Sequence, residues 1–253
     1  MKYSKVISAI QPEERARLHE LKNKYQGERC FIVGNGPSLN AHNLDLLKNE
    51  YSFGVNSIFL KTKDTGFRPS FYTVEDGHVV DDNLEAIRDY DVDHKFILAH
   101  YRDKFPGAED ILWLSADLGF YRDSHPFGGT ARFSRDAAHV VYAGQSVTHI
   151  NLQIAFYLGF SEVYLIGMDF HYDKPESVIT QGLTWISTED DPNHFDPSYF
   201  GAGKKWHDPQ LDKVALNYQL ARRVFERNGR KIFNATHGGK LEIFERADYD
   251  ALF

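Results

Sequence analysis

One stretch, Arg29-Cys-Phe-Ile-Val-Gly-Asn-Gly-Pro-Ser-Leu39, constrains the chain more than any other. Cys30 to Val33 is a short apolar run of the kind a strand buried on both faces requires. It stops at Gly34, Asn35, Gly36, Pro37 and Ser38, which can turn sharply and aim backbone N–H groups at an anion. Glycines at 34 and 36 let a phosphate approach the backbone, Pro37 stiffens the turn, and Ser38 adds a hydroxyl near the next helix start. The pattern is neither a Walker loop nor a full GxGxxG. An ordinary strand-to-helix turn fits the same residues equally well.

The rest of the chain alternates strands and helices around this one. Strands are predicted over 51–56, 71–74, 95–99, 111–114, 162–166 and 231–234. Pro12 to Tyr25 reads as a charged amphipathic helix opened by its proline, and Leu44 to Lys48 as a short helix capped by Asn43. Further helices are predicted over Asp81 to Tyr90, Ser146 to Leu158 with Gly159 ending it, and Pro209 to Asn228. Asp248 to Phe253 reads as a terminal helical turn. Ser115 to Ala143 has a poor pattern and reads as an irregular loop with at most one short strand. This order implies an α/β fold, a Rossmann-like, mostly parallel sheet with helices on both faces. At 253 residues it is expected to be a single nucleotide-binding domain. His171 to His207 is rich in aromatic, His, Asp and Gly residues without periodicity, and reads as a long lid insertion.

Charge and cysteine content narrow the function classes. A net charge of −7 disfavours non-specific binding to nucleic acid or an anionic membrane. The single cysteine, Cys30, lies in the core strand with no activating partner in view, so neither a disulfide framework nor a thiol nucleophile is expected. No apolar run reaches the length of a membrane span, and the amino terminus carries Lys2 and Lys5 without an apolar segment behind them. The expected location is the cytoplasm, at most peripheral to the inner face of the membrane.

In a parallel sheet ligands bind beyond the carboxyl ends of the strands. Polar residues fall there: Asn35 to Ser38, Asn56, Glu75 with Asp76, and Asp169 with His171. Each alone fits a cap or a turn; their coincidence points to a shared site. Asn56 can read a base or ribose, since its amide both donates and accepts. In the lid, His194 lies near Asp196 and His207 beside Asp208, so either imidazole can serve as a base. The aromatic neighbour Trp206 makes packing the alternative role for His207. No HExxH, CxxC or DxD pattern marks a metal site, and no GxSxG elbow a serine hydrolase.

Val33-Gly-Asn-Gly-Pro-Ser-Leu39 resembles the amino-terminal signature of single-domain bacterial sialyltransferases of glycosyltransferase family 42, in which a GNGPS turn holds the CMP part of CMP-sialic acid. Val55-Asn56 resembles that family's nucleotide-contacting asparagine. The block from Ser146 through Gly167-Met-Asp-Phe170 looks like its later helix-strand unit. Asn234-Ala-Thr-His-Gly-Gly-Lys-Leu-Glu-Ile-Phe244 is similar to the broader MptE-like family, named after a 6-hydroxymethylpterin diphosphokinase and containing many polysaccharide-associated proteins. The sialyltransferases use a lid histidine as base and two tyrosines at the leaving phosphate. Here residue 171 is His, with Tyr172 next, and the spacing from His194 to Tyr199 differs.

The resemblance implies a CMP-sugar-dependent, metal-independent, inverting glycosyltransferase acting on a cell-surface glycan. Gly34, Asn35, Gly36, Pro37, Ser38, Asn56, Ser146 and Asp169 would hold the nucleotide. His194 or His207 would be the base, and Tyr172, His171 and Tyr199 would stabilise the departing phosphate. No tightly bound cofactor is expected; partners would be the sugar donor and a glycan acceptor, with a homo-oligomer left open. Two other readings stand beside it: an MptE-like diphosphokinase with Mg²⁺ on Glu75, Asp76 and Asp169, and a non-catalytic nucleotide-binding module.

Overall fold

The structure is a computed structural model that describes residues 7–63 and 65–253. Lys2 and Lys5, considered above for a leader, lie outside the described residues. After helix α1 (Pro12–His19) the chain lays down β1 (Arg29–Val33), β2 (Tyr51–Val55), helix α2 (Phe59–Thr62), β3 (Phe71–Val74), helices α3 (Gly77–Asp82) and α4 (Leu84–Asp89), β4 (His94–Leu98) and β5 (Ile111–Leu114). Cys30 to Val33 are fully buried, as a central parallel strand demands. Burial also pushes the Cys30 thiol well above its ordinary pKa.

Three local readings change. The first helix ends at His19 and continues as turns, with Asn23 in a left-handed conformation. Asp81 to Tyr90 is not one helix: the chain breaks at Asn83, whose side chain donates back to the Val79 carbonyl and competes with the helical ladder. Leu44 to Leu47 is a 3₁₀ turn, with Asn43 accepting from the Asp45 N–H.

The irregular segment after β5 holds two short strands, β6 (Ala116–Asp117) and β7 (Val141–Tyr142), paired in parallel. Its order comes from side chains. The Gln153 amide accepts from the Ser134 and Tyr142 N–H groups and donates to the Tyr142 carbonyl. Gln153 sits on α5 (Val147–Leu158), all twelve residues of which are buried. Ser146 caps α5, accepting from Thr148 N–H, and Gly159 ends it at φ 102°, where an added Cβ would press on the Asn23 and Gln26 backbones at 3.0 Å.

β8 (Glu162–Ile166) follows, then the lid. Rather than lacking regular structure, the lid contains a small antiparallel sheet of β9 (Ile179–Gln181), β10 (Thr184–Ile186) and β11 (Lys205–His207). Three-residue strands are too short to show an alternating pattern. What orders them is aromatic packing: Trp185 meets Trp206 edge-on at 4.7 Å, and Phe200 stacks over Trp206 at 6.0 Å. Helix α6 (Leu211–Arg227), β12 (Lys231–Asn234) and β13 (Glu245–Arg246) complete the fold. The main sheet has the order β13-β12-β8-β1-β2-β3-β4-β5, every pairing parallel, so the α/β Rossmann-like expectation holds.

Candidate functional site

The sheet grows from β1 in both directions, so β1 and β8 form a topological switch point, and the crevice beyond their carboxyl ends is where such folds take ligands. A cavity of about 200 Å³ lies there, walled by the turns after β1, β2, β3 and β8, by the first turn of α5 and by the lid. Among the described residues, no Lys or Arg lines it; Glu75, Asp76, Asp169 and Asp208 do. The N-terminus of α5, with Val147 and Thr148 on the wall, supplies positive dipole instead.

The glycine turn places Gly34, Asn35 and Gly36 on the cavity, while Pro37 and Ser38 lie behind it. Three of its N–H groups are engaged within the chain. Gly34 N–H donates to Ile166, Gly36 N–H to Gly167, and Ser38 N–H and hydroxyl to Asp169 Oδ2 at 3.3 and 2.7 Å. At Ser38 the anion that the turn meets is the chain's own Asp169 carboxylate. A Cβ on Gly36 would sit 1.9 Å from Asp169 Oδ2, and one on Gly34 2.6 Å from the Gly167 carbonyl. The glycines let the two turns touch.

The lid is lashed to this turn. Phe195 N–H donates to the Asn35 carbonyl, Asn40 Nδ2 to the Phe195 carbonyl, and Asn35 Nδ2 to the Tyr199 hydroxyl at 2.8 Å. The Ser57 N–H reaches the same hydroxyl at 3.3 Å, so that oxygen accepts twice and its proton is left for a ligand oxygen. Burial holds the Tyr199 and Tyr172 phenols well above their ordinary pKa, so both remain donors.

Tyr199 stacks face to face on His194, centroids 4.1 Å apart. His194 Nδ1 donates to Asp191 Oδ2 at 2.7 Å, since an ionised carboxylate only accepts. Asp191, 6% exposed, also accepts from the Asn193 and Phe200 N–H groups. With Nδ1 so held, Nε2 is the ring nitrogen left for a ligand, the arrangement a general base needs. This corrects the sequence reading: the partner of His194 is Asp191, and Asp196 instead accepts from the N–H and hydroxyl of Ser198. Asp191-Pro192-Asn193 is a side-chain-closed turn with proline at its second position, a signal the sequence carried.

His207 is corrected likewise. Its Nδ1 lies 3.5 Å from Asp76 Oδ2, and Asp208 caps Gln210. Hydrogen bonding to Asp76 raises the His207 pKa. Burial would raise Asp76, but His207 and the His78 N–H bring it below its ordinary value. Burial pushes neighbouring Glu75 up to about 7, only partly offset by a hydrogen bond from the Tyr121 hydroxyl. Asn56 Oδ1 accepts from the Glu75 N–H at 3.4 Å, tying the turns after β2 and β3 together.

Eleven of the sequence-derived residues meet at this cavity: Gly34, Asn35, Gly36, Asn56, Ser146, Asp169, His171, Tyr172, His194, Tyr199 and His207. His171 is held between Lys240 Nζ at 3.2 Å and Asp173 at 3.0 Å. Sequence reading missed Asp191, Phe200, Gln145 and Tyr218. Nothing in the pattern marked Gln145 or Tyr218, which enter through the folds of α5 and α6. Three residues on the wall, Asn56, Gln145 and Phe170, have φ of 47°, 67° and 53°. For a phenylalanine this is a strained backbone, of the sort that gathers at ligand sites.

Residues 7–175 match the model of the family described as 6-hydroxymethylpterin diphosphokinase MptE-like, and the chain belongs to that family. Among curated proteins, none matches the chain. Of solved structures, the MAf glycosyltransferase from Magnetospirillum magneticum AMB-1 is similar at a TM-score of 0.51 and 17% identity. The match covers 95% of this chain and 39% of that one, so the chain spans well under half of that protein, and the likeness establishes a shared fold. No helix among the described residues is long and apolar enough to cross a membrane.

Proposed function

We propose that this chain is a glycosyltransferase that moves a sugar from a nucleotide donor, a CMP-sugar, to a glycan hydroxyl with inversion. The observation that carries the reading is the His194–Asp191 pair with Nε2 left at a cavity on the carboxyl edge of the sheet. His194 Nε2 takes the acceptor hydroxyl proton as the acceptor oxygen attacks the anomeric carbon from the face opposite the phosphate. The bond from that carbon to the phosphate oxygen breaks, and CMP departs with the electron pair. Asp191 stabilises the imidazolium that forms. The Tyr199 and Tyr172 hydroxyls, His171 and the α5 N-terminus act on the departing phosphate. No step in this scheme calls for a metal ion. The similarity of the GNGPS turn to family 42 supports CMP over other nucleotides, and the fold shared with the MAf glycosyltransferase supports the reaction class.

The family description favours a second reading, pyrophosphate transfer from ATP to a hydroxymethylpterin with Mg²⁺. The carboxylates fit that ion poorly. Asp169 is engaged with Ser38, Glu75 with Tyr121 and Asp76 with His207, and among the described residues no three His, Cys, Asp or Glu side chains converge as ligands. Thermal-shift titration with CMP, UDP, GDP and ATP, with and without Mg²⁺, separates the two. A nucleotide at a hundredfold excess over its Kd stabilises by about 2.7 kcal/mol. CMP is expected to give that shift without Mg²⁺. A shift with ATP and Mg²⁺ alone would overturn the transferase reading.

A further inference from the structure

The wall of the cavity at the end of β3 carries a group of side chains that neither the base nor the nucleotide uses. Tyr121, on the loop after β6, lies just outside the cavity lining and is held to it through Glu75; the residue is 45% exposed. Its hydroxyl donates to Glu75 Oε1 and also faces the Gln145 backbone. Among the described residues, Glu75 Oε2 takes no hydrogen bond. Beside it, Asp76 fixes His207, whose ring stacks on His78 at 4.7 Å. The rim of the cavity thus combines a partly exposed flat ring, fixed by its hydroxyl, with the carboxylates of Glu75 and Asp76 on the lining beside it.

Sugars present two different surfaces, an apolar face of C–H groups and a rim of hydroxyls. An anchored ring matches the first, and hydrogen-bond acceptors match the second. The wall also adjoins the base: Asp76 and Tyr199 lie close enough to interact electrostatically, and Tyr199 is the residue on which His194 stacks. Glu75, Asp76, Asp169 and Asp208 line the cavity and, among the described residues, no Lys or Arg does; His207, paired to Asp76, offsets only part of this charge, so an acidic sugar would meet net like charge.

We propose that Tyr121, Glu75 and Asp76 form the acceptor subsite, and that it takes a neutral sugar, a hexose or N-acetylhexosamine at the end of a glycan. The Tyr121 ring lies under the C–H face, Glu75 Oε2 and Asp76 accept from ring hydroxyls, and one hydroxyl is left toward His194. The inference rests on the transferase reading for its role, but its binding chemistry is tested apart from turnover.

The experiment is saturation-transfer-difference NMR on the full chain. The probes are methyl glycosides of glucose, galactose, mannose and N-acetylglucosamine, with methyl glucuronide as the acidic counterpart. At least one neutral glycoside is expected to bind in the millimolar range, with its C–H face receiving the saturation and at least tenfold more weakly bound glucuronide. Tyr121→Ala is expected to weaken that binding tenfold or more, Tyr121→Phe less, and neither to change the CMP-induced thermal shift. If no neutral glycoside binds, if the glucuronide binds as well, or if Tyr121→Ala binds as the parent does, the subsite is wrong. Loss of CMP binding in Tyr121→Ala would overturn it too, placing the residue on the donor side. Failure of the transferase reading looks different: neutral glycosides bind in a Tyr121-dependent way while CMP gives no shift.

Discussion

Replacing Asp191 with Asn is the sharpest probe of the proposed base. Asp191 accepts three hydrogen bonds: from Asn193 N–H at 2.8 Å on one oxygen, and from Phe200 N–H at 3.0 Å and His194 Nδ1 at 2.7 Å on the other. An asparagine keeps one acceptor oxygen. If it remains on Asn193, the new amide N–H₂ faces both Phe200 N–H and His194 Nδ1. Phe200 loses its partner, costing about 1–3 kcal/mol as a buried unpaired donor. His194 can only answer the amide by accepting at Nδ1, which moves the ring proton to Nε2 and leaves no lone pair for the acceptor hydroxyl. General-base help is worth about 10²- to 10⁴-fold, or roughly 3–5 kcal/mol in the barrier. Asp191→Asn is therefore expected to lose at least about a hundredfold in kcat, with donor affinity unchanged. Ring ¹⁵N chemical shifts of His194 supply a readout that needs no substrate: protonated Nδ1 in the parent, protonated Nε2 in the variant. Because Asp191 acts through His194, adding Asp191→Asn to His194→Ala is expected to cost nothing more. Multiplying losses in the double variant, or an unchanged ring tautomer, would refute the reasoning.

Three further outcomes follow from the packing. Gly36→Ala puts a Cβ where Asp169 Oδ2 now lies 1.9 Å away, so Ser38 and Asp169 must part; the folded variant, checked by circular dichroism, is expected to lose the CMP-induced thermal shift, and a retained shift would remove the nucleotide from this turn. Gln153→Ala strands the buried N–H of Ser134, at about 1–3 kcal/mol, and the half-buried N–H of Tyr142 at less; calorimetry is expected to show Tm falling on the order of 5–10 °C, and a drop under about 2 °C would show that the segment before α5 holds itself. Burial lowers the His149 pKa to about 4 from an unfolded 6.5, so its contribution is whole above pH 6.5 and is lost as pH falls toward 4. That limb amounts to roughly 3 kcal/mol; buried His42 is lowered too and adds to it, so the measurement is the difference between parent and His149→Gln, which is expected to flatten the denaturant-derived stability curve between pH 6.5 and 4.

Strand positions were legible because a strand buried on both faces must be a continuous apolar run, and β1, β3, β5 and β8 are such runs. β13 was not, since two exposed residues, Glu245 and Arg246, carry no pattern. The lid sheet escaped for a related reason: its stability resides in Trp185, Phe200 and Trp206 meeting across some twenty residues, which no local period records. At the site, residue types were readable and pairings were not. His194 and His207 each had a nearer acidic neighbour in sequence than the one they touch. Local turn chemistry claims the near carboxylate in both cases: Asp196 for Ser198 and Asp208 for Gln210. Short polar side chains prefer backbone donors two residues on, so proximity in sequence is a poor guide to an imidazole's partner.

That rule reflects back on the glycine turn. Its two glycines are required by contact between the turns after β1 and β8, whatever fills the cavity: each added Cβ would strike the backbone or Asp169 of the opposite turn. The N–H groups of Gly34, Gly36 and Ser38 are spent on Ile166, Gly167 and Asp169. A sequence can thus keep the turn for the sake of the switch point alone. Asp191 has no such structural excuse at full strength. An asparagine there would still close the turn onto Asn193, so only the His194 and Phe200 contacts demand a carboxylate. Of the two motifs, Asp191-Pro-Asn-His194 is the one on which the proposed proton transfer rests. A chain of this fold that retained the glycines and lost that quartet would be expected to fold and to lack the transfer step.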